Sequence, residues 1–189
     1  MKIHEVIITS CDKANNHHIA PMGINIIGDE VIVRPFKPSK TLDNIRETKS
    51  AVVNFIDDVR VFAGIVTGAK RKWGLKKIRG DQVMRLDDTN SYFLLRVNSE
   101  NDDQVRPKIT CDILDKKMYR PFLGFNRAQF SVIEAAVLIS RLGMIPMDKI
   151  HKELEYLKIG LDKTAGKVEL EAWSWIEAKL QNFEIENGS

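Results

Sequence analysis

Cysteine is scarce in this chain. Cys11 and Cys111 are far apart and form no CxxC pair. That excludes a disulfide-framed scaffold and reads as two reduced, buried thiols of a cytoplasmic protein. The four histidines, His4, His17, His18 and His151, show no metal-ligand spacing with one another, with cysteine or with carboxylates, so no metal site is expected. No apolar run is long enough to span a bilayer; the longest, around 132–142, carries Glu134 and Arg141, so no membrane partner is expected. Met1-Lys2-Ile3-His4-Glu5 leads straight into a strand pattern, and no signal peptide is expected. A Rossmann glycine turn, a Walker loop and a nucleophile elbow are all missing. Gly64-Ile65-Val66-Thr67-Gly68 lacks the lysine and spacing of a phosphate loop. Charge of one sign is also missing: 29 basic and 26 acidic residues leave a net charge of +3, which argues against a general nucleic-acid binder.

What is present is an ordinary globular composition, 43% hydrophobic and 29% charged over 189 residues. That suffices for one large domain, or a barrel with an appendage, without staples. The first two thirds read as β. Residues 3–10 are a β-branched run, predicting a strand buried on both faces. Residues 19–27 and 31–36 flank Gly28-Asp29-Glu30 as a hairpin. Ser39 to Lys49 reads as a short helix with Ser39 at its N-cap and Leu42 and Ile45 on one face. Residues 51–56 form a further strand; 59–69 are ambiguous between helix and strand. A basic arm follows at 70–80, with Trp73 as its aromatic, then strands near 91–99 and 107–116 joined by a polar connector. A meander of this kind with one internal helix fits a small closed or split barrel. Near residue 125 the period becomes helical. Phe130, Ile133 and Val137 mark one stripe. Pro146 opens a second helix with Ile150, Leu154 and Leu157, which Gly160 ends. Ala172, Ile176 and Leu180 mark a third. The fold class is therefore α+β, a β-barrel domain over 1–122 followed by a small α-helical domain over 123–189.

The densest cluster of informative residues is 16–58. It contains Ala20-Pro21-Met22-Gly23-Ile24, Arg34-Pro35-Phe36, Thr41-Leu42-Asp43-Asn44-Ile45 and Val53-Asn54-Phe55-Ile56-Asp57-Asp58. The later part of the chain adds Asn126-Arg127-Ala128, Ile133-Glu134-Ala135-Ala136-Val137, Arg141-Leu142-Gly143 and Lys163-Thr164-Ala165-Gly166. In this order the set resembles the domain of unknown function 447 family, small flavin-binding proteins of archaea and methylotrophic bacteria. The resemblance spans almost the whole chain. It implies a split β-barrel similar to flavin reductases and pyridoxamine-phosphate oxidases, FMN as cofactor, and a homodimer with the flavin near the subunit interface. It also implies kinship with proteins of tetrahydromethanopterin-linked one-carbon metabolism. His17-His18 and the basic arm depart from the family pattern.

FMN in such a barrel makes chemical demands that particular residues could meet. Its phosphate suits hydroxyls at a helix N-terminus; Ser39 and Thr41, flanked by Lys37 and Lys40, fit, and Asn44 lies one turn in. Ser39 as a plain helix cap is the competing reading. The flavin ring needs an apolar wall and backbone polar groups, which Pro21, Met22 and Gly23 could supply, with Phe36 against the ring or ribityl chain. Arg34 interrupts an apolar run, so it is outward-facing, paired, or set against the reduced flavin's negative charge. Asn54 lies mid-strand and needs partners, the ribityl chain or phosphate among them. Arg127 could reach a phosphate beside Asn126, a natural N-cap. Asp57-Asp58 is either a proton-transfer pair or a strand end. His17-His18 is either a proton route or a solvated loop.

No acid–base residue is assigned as catalytic. Three functions stay open: an FMN-dependent oxidoreductase of the flavin-reductase type working on a small-molecule electron donor or acceptor; a non-catalytic FMN carrier, sensor or assembly partner; and a nucleic-acid-binding barrel using residues 70–79.

Overall fold

The computed structural model describes residues 2–188. Eight strands and five helices follow in the order β1 (His4–Cys11), β2 (His17–Ile27), β3 (Glu30–Val33), α1 (Lys40–Thr48), β4 (Ser50–Phe55), α2 (Arg60–Thr67), β5 (Leu75–Lys77), β6 (Met84–Leu86), β7 (Ser91–Asn101), β8 (Lys108–Met118), α3 (Arg127–Ile139), α4 (Met147–Thr164) and α5 (Lys167–Asn187). Six strands close a barrel in the order β1-β2-β3-β8-β7-β4, and β5-β6 form a separate two-stranded sheet. The α+β class is as the sequence predicts.

Two compact units emerge. One holds the chain up to Ile56 together with Trp73–Phe122; the other holds Asp57–Lys72 and the chain from Leu123 onward. The ambiguous stretch 59–69 resolves as helix α2, which packs on α3 and α5.

In the barrel unit, β1 is buried from Val6 to Cys11, as its β-branched run predicts. Pairing explains the two-sided burial. Val6 and Ile8 sit opposite Met22 and Ala20 and join Val31, Val33, Ala51, Val53, Leu95 and Ile109 inside the barrel. Cys11 joins Val52, Ile78, Val83, Tyr92 and Leu94 in a second apolar cluster. Leu42 and Ile45 of α1 belong to the inner cluster. Burial raises the Cys11 thiol pKa and pushes that of Cys111 up to about 12, so both stay protonated near neutrality.

In the helical unit, Ile150, Leu154, Leu157, Ala172, Ile176 and Leu180 form the core with α3. The buried face of α3 is not the Phe130-Ile133-Val137 stripe. It is Ala128, Ser131, Val132, Ala135, Ala136, Leu138 and Ile139, and Phe130 is 56% exposed. Small residues win because α4 comes close. Gly160 does not end α4; it lies inside it. A Cβ there would stand 2.7 Å from Ser131 Oγ and 3.3 Å from the Arg127 carbonyl. Ser131 in turn donates to the Leu157 carbonyl at 2.8 Å, locking the approach.

Candidate functional site

The pairing of β2 is uneven. Its residues His17–Ile24 pair with β1, and β3 pairs with Ile24–Ile27. No strand among the described residues pairs with the other edge of 17–23. An antiparallel strand presents the backbone polar groups of alternate residues to each side, so along Ile19–Gly23 every second residue turns its polar groups to this edge, where no described strand pairs with them. Helix α1 packs on β1 and β2.

Helix α1 starts as the sequence predicts. Ser39 is extended (φ −149°, ψ 119°) and its Oγ accepts the Leu42 N–H at 3.3 Å. That satisfies one of the orphan donors of the first turn and leaves the Ser39 hydroxyl proton without an acceptor among the described residues. Asp43 adds a favourable charge to this turn. Lys40 Nζ lies 3.7 Å from Asp12. Asp12 also accepts from Asn16 and Ala14, and its pKa is lowered, first by the Asn16 hydrogen bonds.

The polar residues of this region divide in two. Thr41 and Asn44 are buried. The Asn44 amide turns inward and donates to Ser10 Oγ at 3.1 Å, and its Oδ1 has no partner among the described residues. That differs from the expectation of a side chain reaching a phosphate one turn along: the i+3 spacing from Thr41 places Asn44 on the barrel side of α1 with Leu42 and Ile45. Asn54 is also wholly buried. It donates to the Ile7 carbonyl (3.1 Å) and Thr9 Oγ1 (3.2 Å) and accepts the Leu86 N–H (2.7 Å). It ties β1, β4 and β6 together, and its hydrogen-bonding capacity is committed to the fold.

The remaining candidates are placed as follows. Met22 packs partly buried against the inner barrel cluster, on the opposite side of β2 from Pro21 and Gly23. Gly23 does not open its strand face to a flat ring: a Cβ there would meet Ile3 Cγ2 at 2.8 Å, so that space belongs to Ile3. Arg34 Nη1 donates to the buried Asn25 Oδ1 at 2.7 Å, and Asn25 Nδ2 to the Lys2 carbonyl at 2.7 Å; the arginine is paired, half-buried and without a carboxylate. Phe36 is 60% exposed. Arg127 is exposed at the start of α3 in the helical unit, where Asn126 accepts from the Ala128 and Gln129 N–H groups as N-cap. Asp58 accepts from the Arg60 backbone N–H and from its guanidinium, and Glu171 completes that pair; it starts α2. His17 Nε2 contacts the Gln82 carbonyl at 3.2 Å. Among the described residues no group of metal-ligating side chains could hold an ion, and no helix is long and apolar enough to cross a membrane.

One element near α1 has no local signal in the sequence. The polar connector between β7 and β8 reads as a plain loop, yet it clamps the run 34–37 that leads into α1. Lys37 N–H donates to the Val105 carbonyl at 2.9 Å. Lys37 Nζ lies 2.8 Å from Asp102, and Arg46 bridges Asp102 and Glu100. Arg106 Nε donates to the Arg34 carbonyl at 3.0 Å. Asp102 and Asp103 have lowered pKa values, the first chiefly through Lys37, the second chiefly through the Arg106 and Val105 N–H groups.

The six-stranded barrel with one helix packed on its β1-β2 hairpin recurs in several solved structures. An FMN-bound protein of Methanosarcina mazei superimposes with a TM-score of 0.81 at 19% identity, over 94% of each chain. The 2-nitrobenzoate 2-nitroreductase of Pseudomonas fluorescens gives 0.54 at 19% identity, over 61% of this chain and 64% of its own. A flavoredoxin of Methanosarcina acetivorans gives 0.52 at 14%, over 65% and 72%. These likenesses establish the fold. The chain belongs to the family described as protein of unknown function (DUF447): its N-terminal domain matches residues 4–120 and its second domain residues 126–178. No curated protein matches the sequence.

Proposed function

We propose that the chain binds FMN at the unpaired edge of β2 and the N-terminus of α1, and works as a flavin-dependent oxidoreductase of the flavin-reductase type. The carrying observation is the edge of β2 over Ile19–Gly23 that no described strand pairs with, on a barrel whose α1 packs against that hairpin. The family relative from Methanosarcina mazei, with the same fold, is FMN-bound.

The residues present fit the group. The Ser39 hydroxyl has a free proton, and the α1 N-terminus supplies unpaired N–H groups and a positive dipole end. The orphaned Asn44 Oδ1, wholly buried near Ser10, is a polar atom that the fold alone leaves unsatisfied. Pro21, Met22 and Gly23 offer backbone groups to the pyrimidine edge of the ring, and Phe36 offers apolar surface. Arg34 sits without a carboxylate partner and would favour negative charge on a reduced ring. Thr41, buried in the same first turn, is kept as a second hydroxyl for the phosphate, and Arg127 is kept as a phosphate ligand. Bound FMN supplies the hydride and electron transfer; the protein supplies binding, orientation and electrostatics. A homodimer with the flavin near its interface, a nicotinamide or pterin as electron partner, a place in tetrahydromethanopterin-linked metabolism and a cytoplasmic setting complete the proposal.

The second reading is a non-catalytic FMN carrier, sensor or assembly partner. The residues assigned to the flavin favour it: they offer hydroxyls, amides, guanidinium groups and apolar surface, and His17-His18 at the start of β2 is not among them.

Purified protein should be yellow, with flavin bands released on denaturation, and Ser39→Ala should weaken FMN retention. A colourless protein that takes up no added FMN overturns the proposal. Steady-state assays with NADH, NADPH and reduced pterins separate the two readings. Turnover with any donor supports the enzyme, and none with all supports the carrier.

A further inference from the structure

The connector between β7 and β8 carries an exposed arginine that the fold orients and, among the described residues, leaves without a carboxylate partner. Asp103 Oδ1 accepts the N–H groups of Val105 (2.8 Å) and Arg106 (2.6 Å), which fixes the turn. The Arg106 guanidinium then lies over the Phe36 ring, 4.4 Å from its centroid, with Nε on the Arg34 carbonyl at 3.0 Å. One face and one donor are held. The two terminal nitrogens have no acceptor, and the guanidinium has no carboxylate partner, among the described residues.

The neighbouring charges sharpen the contrast. Lys37 is neutralised by Asp102, and Arg46 by Glu100 and Asp102. Lys40 has Asp12 at 3.7 Å. Arg34 has only the Asn25 amide. Among the described residues, two guanidinium groups without a carboxylate partner therefore meet at the run 34–37 that leads into α1, Arg34 on it and Arg106 against it. A planar fork held by a ring beneath it and a carbonyl beside it has lost most of its freedom before any ligand arrives. Two parallel N–H donors in that state match the oxygens of a phosphate.

We infer that Arg106, stacked on Phe36, is a binding residue for a phosphomonoester dianion. The assignment rests on the flavin reading for the identity of its ligand. The phosphate has two sources, the terminal phosphate of FMN or the 2′-phosphate of an incoming NADPH, and the chemistry is the same for both.

The test uses wild type, Arg106→Gln and Arg106→Lys. Inorganic phosphate should raise the melting temperature of the wild type and leave that of Arg106→Gln unmoved. If FMN is the source, Arg106→Gln loses about tenfold in affinity for FMN and nothing for riboflavin. If the donor is the source, the same loss appears for NADPH and not NADH. Arg106→Lys keeps the charge without the fork and should recover part of the loss. Equal behaviour of wild type and Arg106→Gln towards phosphate, FMN and NADPH overturns the assignment. Equal losses for riboflavin and FMN, and for NADH and NADPH, also overturn it, because they make Arg106 a brace for its loop. Wild-type protein that binds neither FMN nor riboflavin sinks the flavin reading alone, and the phosphate titration then decides Arg106.

Discussion

The two units of this chain bury different chemistry. Among the described residues, the barrel unit buries the polar side chains of Thr9, Ser10, Asn25, Thr41, Asn44, Ser50, Asn54, Arg85 and Thr89, whereas the helical unit buries those of Ser131 and Glu169. Among the described residues, the buried side-chain polar atoms left without a hydrogen-bond partner, on Asn44 and Asn90, lie in the barrel unit. A buried polar group is costly unless satisfied. The helical unit is close to an economical apolar core, while the barrel unit carries polar groups beyond what packing requires. The difference points to the barrel as the seat of function and to the helical unit's core as a matter of stability.

The comparison breaks most easily at the helical core. Ile176 is wholly buried, so Ile176→Ala should cost about 3–4 kcal/mol by denaturant unfolding, while the folded protein keeps its FMN affinity. A parallel fall in affinity would make the helical core part of the site. Next comes Asn54→Leu. It leaves the Leu86 N–H and the Ile7 carbonyl without their partner, and should cost roughly 2–3 kcal/mol. Lost FMN affinity at unchanged stability would return Asn54 to the site. Gly160→Ala sets two effects against each other. Alanine gains about 1 kcal/mol of helix propensity, but its Cβ would press on Ser131 Oγ at 2.7 Å, an atom pinned by its bond to Leu157. Overpacking costs of about 1–3 kcal/mol win, and the variant should melt lower than wild type.

The smallest effect concerns pH. The pKa values of Asp102 and Asp103 are lowered in the fold, so their contribution is fully present above the unfolded carboxylate value of about 3.9. It is lost as pH falls through their lowered folded values. Urea melts at pH 6 and at pH 3 should show Asp102→Asn losing less stability between the two than wild type does. Equal losses would mean that the clamp on Lys37 and Arg46 contributes nothing.

How far the sequence exposes this division depends on how local each signal is. The two-sided burial of β1, the Ser39 cap, the Asn126 cap and the Ala172-Ile176-Leu180 stripe are all legible, because each follows from neighbours within a turn or along one strand. The α3 stripe is not. Large residues mark a stripe, but close helix contact selects small ones, and Ala128, Ser131 and Ala135 face α4 because Gly160 lets it approach. The same glycine reads as a stop only when its partner helix is unknown. At the site, Ser39 is visible as a cap, and the membership of Arg34 and Phe36 in the same run is visible as sequence. Arg106 is not visible: it meets Phe36 and the Arg34 carbonyl across about seventy residues, and nothing near it in sequence hints at that meeting. The inward turn of Asn44 and the role of Ile3 behind Gly23 are likewise long-range facts.

The account turns on the phosphate being gripped where the chain enters α1. The most direct measurement is the affinity of the wild-type protein for FMN against riboflavin, read by quenching of flavin fluorescence. A grip there predicts FMN binding at least about tenfold tighter, with the gap closing in Ser39→Ala. Equal affinities for the two flavins would contradict it.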